Sequence, residues 1–260
     1  MSLLSPERLV ASLSPQRLGV LRLAPRWRPG ELAQHAEDLP ETGPAPWTGG
    51  LEALEMLLDQ PAWGGRDLTV LLSSHYVRYA VLPKVNHLGA AERTDLARLI
   101  FRNTFGDLAR DWELRVSPGG DRPTLASGVP QALLTDLRAA CAGRATLRSI
   151  QPGLMAIFNR ARSQIDQPGG MLALVENRRI TLATIEQAQW QSITSRAAEA
   201  GELPDLLAEA RQLAGRESGG RLWLCDLTGQ ATLPPVPPWQ VERLPGGLAG
   251  IVGLVAWGTA

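Results

Sequence analysis

The strongest constraint in this chain is the order of its apolar runs. Runs with strand-like alternation come in pairs, and each pair is followed by a run with helical spacing. After Gly169-Gly170 the chain begins again with strands. The opening reads as a hairpin, Arg8–Leu13 and Arg17–Leu23, across Ser14-Pro15-Gln16. Leu51–Leu58 is a short amphipathic helix stopped by Pro61 and Gly64-Gly65. Leu68–Leu72 and Tyr76–Leu82 are predicted as a strand pair around Ser73-Ser74-His75. Ala90–Phe105 is the clearest helix, with Leu96, Leu99, Ile100, Phe101 and Phe105 on one side. A second hairpin, Trp112–Val116 and Pro123–Ser127, turns at Pro118-Gly119-Gly120-Asp121. Helix Gln131–Ala142, strand Ala145–Ile150 and a helix from Pro152 to Ile165 follow.

The second block holds three successive strands, Met171–Val175, Arg179–Ile185 and Trp190–Thr194, then a helix from Pro204 to Ala214 and a strand at Arg221–Cys225. Hairpins followed by helices, twice over, predict an α/β protein with mixed sheets. The expected division is a first lobe over 1–168 and a second over 169–260. The proline-rich stretch 24–50 reads as a loop, either an ordered surface excursion or a mobile insert, pinned by Trp27 and Trp47. A proline cluster (Pro234, Pro235, Pro237, Pro238) precedes an apolar tail, Leu248–Trp257, read as a closing strand or short core helix.

Charge narrows the partners. Acids and bases balance, 26 against 26, so no basic surplus marks a nucleic-acid face. The longest apolar stretch is that tail, far short of the roughly 20 residues a spanning helix needs. Cys141 and Cys225 form no CxxC pattern and read as small buried hydrophobes in a reducing cytoplasm.

The search for chemistry returns little. HExxH, GxSxG and a Walker phosphate loop are all missing from the sequence, so neither a metal site nor a catalytic residue is assigned. Ser74 and His75 are neighbours, but adjacent residues on a strand point to opposite faces, and His75 reads as a turn residue. His87 reads as a loop residue before a helix. Glu52 and Glu55 share a solvated helix face.

The run Leu71-Leu72-Ser73-Ser74-His75-Tyr76-Val77-Arg78-Tyr79-Ala80-Val81-Leu82-Pro83 is more specific. It is followed by the helix ending Phe101-Arg102-Asn103-Thr104-Phe105-Gly106, the Trp112 hairpin, and Ser149-Ile150-Gln151-Pro152 with Phe158-Asn159. Over residues 68–225 this order resembles actin-like assembly proteins of bacterial pili and secretion systems: the PilM type of type IV pili, the MshI type of MSHA pili, and the cytoplasmic part of GspL from type II secretion. The resemblance implies an actin-like ATPase fold, two ribonuclease H-like lobes with mixed sheets and flanking helices.

In ATP-binding members two turns rich in Asp, Gly and Ser or Thr hold the phosphates, and a glycine-rich turn holds the adenosine. The corresponding turns here are Ser12–Arg17, Val175–Arg179 and Leu224–Gly229. The first has neither Asp nor Gly, and Pro15 removes a donor. In the second, Glu176 stands where Asp is usual and two arginines fill the turn. The third has one glycine. If a nucleotide binds, the resemblance assigns it to Ser14, Gln16, Glu176, Arg178 and Gly229. The degraded turns favour no cofactor over ATP with magnesium.

The function the resemblance implies is a non-catalytic scaffold of an inner-membrane assembly platform. It would bind the cytoplasmic N-terminal peptide of a PilN-like inner-membrane protein, and the assembly ATPase is a second candidate partner. It would sit in the cytoplasm, peripheral at the inner face of the membrane. The ending at Ala260 without a spanning helix favours PilM- or MshI-like organisation over the GspL type. The alternative is an ATP-binding actin-fold protein or a sugar-kinase-like enzyme with degenerate phosphate loops.

Overall fold

The computed structural model describes residues 7–25, 30–40, 43–85, 88–117, 123–165, 169–187, 189–213, 220–231 and 239–244. Trp27, His87, the Pro118–Asp121 turn, the proline cluster and the apolar tail fall outside these residues. The chain forms two compact units, one from residues 1–76, 132–160 and 248–260, the other from 77–131 and 161–247.

The first unit is built on a five-stranded sheet. The opening hairpin is β1 (Arg8–Ser14) and β2 (Arg17–Leu23), paired antiparallel with Arg8 opposite Leu23. The third strand, β3 (Glu31–Asp38), pairs antiparallel with β2. On its other side β1 pairs parallel with β4 (Asp67–Leu72), which pairs parallel with β8 (Thr146–Pro152). The order is β3-β2-β1-β4-β8. Strand β1 is buried from Leu9 to Leu13, so it reads as an unbroken apolar run rather than as an alternation. Helix α1 (Thr48–Leu58) buries Leu51, Leu54, Leu57 and Leu58, spaced for one face. Helix α3 (Gln131–Cys141) does the same with Leu133, Leu134, Leu137 and Cys141. Trp47 Nε1 donates to Asp136 Oδ2 at 2.9 Å, which ties the start of α1 to α3.

The second unit repeats that topology. Strands β9 (Gly170–Glu176), β10 (Arg179–Glu186) and β11 (Gln189–Arg196) form an antiparallel meander. Strand β9 pairs parallel with β12 (Arg221–Asp226), and β12 with the four-residue β13 (Gln240–Arg243). The order β11-β10-β9-β12-β13 matches the first sheet position for position. Helix α5 (Leu203–Leu213) sets Leu203 and Leu207 against Met171, Ala173, Val175, Ile180, Leu182, Leu222 and Leu224. The same unit holds a three-stranded sheet of β5 (Arg78–Leu82), β7 (Thr124–Pro130) and β6 (Trp112–Val116), with β7 central. Helix α2 (Ala90–Phe105) lays Ala97 and Phe101 on it, and Phe101, Phe105 and Trp112 stack in a cluster. Helix α4 spans Gly153–Ile165.

Two sequence expectations need correction. The stretch 24–50 is not all loop, because β3 occupies its middle. No proline falls between Gly30 and Leu39, and the Ala24 N–H donates to the Gly30 carbonyl at 2.9 Å, which returns the chain to the β2 edge. Its mostly exposed edge position removed the apolar alternation that would have revealed it. Strands β4 and β5 are also not a pair: β4 belongs to the five-stranded sheet, and β5 pairs with β7. A tight turn at Ser73–Tyr76, closed by the Tyr76 N–H on the Ser73 carbonyl at 3.0 Å, sends the chain to the other sheet.

Gly170 opens β9 for a packing reason. A β-carbon there would lie 2.6 Å from the Arg221 carbonyl oxygen and 2.6 Å from the ring of Trp223, a side chain with no exposed surface. The backbone contact cannot yield, and the ring is held in the core. Gly170→Ala is expected to cost about 1–3 kcal/mol through overpacking, read as a lower urea midpoint with an unchanged m-value.

Candidate functional site

The doubled topology puts three turns at the carboxyl ends of central strands, where ligands meet open α/β sheets. The first joins β1 to β2. Ser14 Oγ donates to the Arg17 carbonyl at 3.0 Å, and the Gln16 carbonyl accepts from the Leu39 N–H at 2.8 Å. Pro15 contributes no N–H. Arg17 pairs with Asp38 at 3.4 Å. Beside this turn the Ser73 N–H donates to the Leu13 carbonyl at 3.0 Å, which sets the end of β4 next to it. The hydroxyl and the carbonyl of this turn are thus committed to closing it.

The Ser73-Ser74-His75 segment is a turn, as read from sequence, but the side chain that meets the imidazole is Ser73, not Ser74. Ser73 Oγ accepts from the His75 N–H at 3.2 Å and lies 2.9 Å from His75 Nδ1. Ser73 is buried, so this hydroxyl closes a turn and is not offered to a substrate.

The second turn, Asn177-Arg178, joins β9 to β10. Arg178 sits at φ +55°, in the left-handed region that glycine or asparagine usually fills. Its carbonyl accepts from the Ala198 N–H at 3.3 Å, and its side chain reaches Glu199 at 3.9 Å. Buried Glu176 stands opposite Arg179 in the ladder. Arg179 Nη1 donates to Ser195 Oγ at 3.3 Å, and Thr181 Oγ1 donates to the same oxygen at 2.9 Å. Burial lowers the Arg179 pKa, and Glu176 opposes that shift. Arg78 is lowered too, first by burial and then by the charge of Arg179.

The third turn follows β12 and decides the chemistry. Asp226 Oδ1 accepts from the Thr228 N–H at 2.9 Å, the Thr228 hydroxyl at 2.8 Å and the Gly229 N–H at 3.1 Å. Its Oδ2 accepts from the Ala231 N–H at 3.0 Å. Gly229 takes φ +68°, which turns the backbone around the carboxylate. Such a ring of N–H groups is the concavity that elsewhere holds an anion. Here it is filled by the chain's own carboxylate, which is 7% exposed. A ligand arriving at this turn, the one the resemblance assigns to the adenosine, would meet donors already engaged by Asp226.

The structure brings Glu176 and Gly229 to one end of the second sheet, because the Leu227 N–H extends the β9–β12 ladder onto the Val175 carbonyl at 2.9 Å. Ser14 and Gln16 belong to the first unit. Sequence reasoning did not single out Asp226, Thr228, Arg78 or Ser195. For Asp226 a signal existed: Asp-x-Thr-Gly is an Asx-turn pattern. Among the described residues no three His, Cys, Asp or Glu side chains gather to hold a metal ion.

No protein-family model matches the chain, and no curated protein matches it by sequence. Solved structures do. The cytoplasmic domain of EpsL, an inner-membrane component of the type II secretion system of Vibrio cholerae, aligns with a TM-score of 0.61 at 17% identity, over 96% of this chain and 93% of that one. A Bacteroides thetaiotaomicron protein with an actin-like ATPase fold and unknown function aligns at 0.67 and 10% identity, over 98% and 97%. The fold is the actin-like ATPase fold. The PilM-PilN type IV pilus biogenesis complex also aligns, at 0.61 and 10% identity, over 84% of this chain and 81% of that one. The PilM and type II secretion relatives suggested by the order of elements over residues 68–225 are therefore among the structures whose fold this chain shares. The two sheets of identical order are its two ribonuclease H-like halves.

Both cysteines are free and buried, as expected from their isolation. Burial pushes the Cys225 thiol up to about 12, and the charges of Glu176 and Asp226 add to the shift. Burial pushes Cys141 up to about 11, with Glu55 raising it further and Arg144 opposing. The neutral thiols are favoured in the folded state. Their contribution to stability is complete below the ordinary thiol value of 9.0 and is lost as pH rises toward 11–12. Neither thiol should react with a maleimide at pH 8 until the protein unfolds, and Cys225→Ala should flatten the decline in stability above pH 9.

Removing the carboxylate tests the third turn. Asp226→Ala strands the N–H groups of Thr228, Gly229 and Ala231, and is expected to cost about 2–4 kcal/mol in denaturant unfolding. Asp226→Asn keeps one carbonyl oxygen and should lose less.

Proposed function

We propose that this chain is a non-catalytic scaffold of a bacterial inner-membrane assembly platform, of the type IV pilus, MSHA or type II secretion kind. In this reading it works at the cytoplasmic face of the membrane. It holds the cytoplasmic N-terminal peptide of a PilN-like membrane protein, with the assembly ATPase as a second candidate partner. Among the described residues no helix is long and apolar enough to cross a membrane.

One observation carries the non-catalytic part: of the two turns that the resemblance assigns to the phosphates, the first has Pro15 and a Ser14 hydroxyl closed on Arg17, and the second has a left-handed Arg178 where a small residue is usual. Hydrolysis of a triphosphate needs backbone and small polar groups free to approach the anion and its metal. The third turn, assigned to the adenosine, spends its backbone donors on Asp226. The likeness to the EpsL cytoplasmic domain and to the PilM-PilN complex supports the assembly part.

Two measurements test this reading together. Immobilised protein should retain the N-terminal cytoplasmic peptide of a PilN-like inner-membrane protein, and a scrambled peptide should wash through. ATP with magnesium should leave the unfolding midpoint unchanged. A ligand at a hundred times its Kd would add about 2.7 kcal/mol, and a rise of that size would favour the ATP-binding alternative. Failure to retain any neighbouring membrane protein's peptide would remove the scaffold reading.

A further inference from the structure

The outer edge of β3 is the longest strand edge in the molecule that no described residue covers. Strand β3 has eight residues and pairs with β2 on one side; among the described residues it pairs with no strand on the other. The other edges are protected. Strand β11 lies alongside β5, and its Arg196 is held by Glu209 of α5 through two hydrogen bonds of 2.6 and 2.7 Å. Strand β8 ends in Pro152, β6 has five residues and β13 has four. A bare strand edge presents a row of unpaired backbone N–H and C=O groups, and proteins usually blunt it with proline, lysine or a bulge. Strand β3 has neither proline nor lysine. Its one irregularity, at the Arg22/Leu23 step of the β2 pairing, leaves Ala33–Asp38 in regular register.

The charge on this edge is one-sided. Glu31, Glu37 and Asp38 are exposed and the strand itself has no Lys or Arg, in a chain whose acids and bases are equal in number. Asp38 has Arg17 of β2 at 3.4 Å and Glu37 has His35 Nε2 at 3.4 Å, while Glu31 is in no ion pair among the described residues. That charge also argues against a second copy as the occupant. Antiparallel self-pairing centred between Gln34 and His35 would put Glu31 opposite Asp38 at both ends. Parallel in-register pairing would set every acid against its own copy. Like charges directly opposite destabilise a strand pair. A segment with basic side chains at its ends meets the opposite situation.

We propose that β3 is a docking edge for an extended, basic segment of another protein, which joins the sheet as an added strand beyond β3. Backbone hydrogen bonds along the edge supply affinity, and basic side chains facing Glu31 at one end and Glu37 and Asp38 at the other set register and selectivity. The inference rests on the strand edge and its charge alone, so it stands or falls separately from the assembly-platform reading.

The test uses the full chain and three labelled octapeptides. One is Lys-Val-Lys-Val-Thr-Val-Lys-Val, the second has glutamate in place of each lysine, and the third is the basic peptide N-methylated at alternate residues. The basic peptide should bind at least tenfold more tightly than the acidic one, and N-methylation should abolish binding. Hydrogen exchange should slow over residues 31–38 when it binds. In the surface variant Glu31→Lys/Glu37→Lys the preference should fall or reverse, with the circular dichroism spectrum unchanged. Equal binding of the basic and acidic peptides, indifference to N-methylation, or protection confined to another strand would overturn the proposal. So would a dimer that protects residues 31–38 without peptide.

Discussion

Each half of this molecule depends on one strand that has no solvent face. Strand β1 in the first sheet and β9 in the second pair antiparallel with the next strand of the hairpin and parallel with a strand that arrives much later. Leu9–Leu13 and all of β9 are buried. A strand in that position fixes the register of both neighbours, since a one-residue slip would exchange its two buried faces. It also fixes where the turns lie, because the chain must leave the sheet where the apolar run ends. The turns at Ser14 and Glu176 are therefore equivalent in construction, although their sequences share only the arginine that opens the next strand, Arg17 and Arg179.

What those turns do follows from how their backbone groups are satisfied. A turn at the end of a buried strand carries polar groups that must find partners in the protein or in a ligand. In this chain they find protein. Ser14 closes on Arg17, the Arg178 carbonyl accepts from Ala198, and Asp226 gathers the N–H groups of Thr228, Gly229 and Ala231. A carboxylate already inside a ring of amides makes the same kind of interaction that a phosphate would. In the proposed scaffold role, the β3 edge gives this actin-like body a surface made from main chain.

Much of the fold was legible in residue order. The two hairpins of the first block, the meander after Gly169-Gly170 and the helix Ala90–Phe105 all lie where periodicity and breakers put them, because each has a local apolar period. The helix face itself was misjudged in part: Leu99, expected on the packed side, is exposed, and Ala97 and Phe101 are the buried residues. Strand β3 was hidden because an edge strand with polar side chains carries no alternation. The supposed β4–β5 pair misled because a short turn states that two strands are near in sequence, not that they share a sheet. At the site, the loss of Asp and Gly from the first two turns could be read directly. The role of Asp226 could not be read in full, since an Asx-turn pattern does not say that the side chain will capture four donors.

The sequence by itself therefore determined the kind of elements, their order, the duplication and the loss of Asp and Gly from the first two turns. These depend on the local period of apolar side chains and on which residue types a turn contains. Only the tertiary structure decided which strands became neighbours, that Glu176 and Asp226 end adjacent parallel strands, and that β3 lies bare at an edge. Those outcomes depend on long-range burial and on the completion of backbone hydrogen bonds between segments far apart in the chain, which no local window of residues encodes.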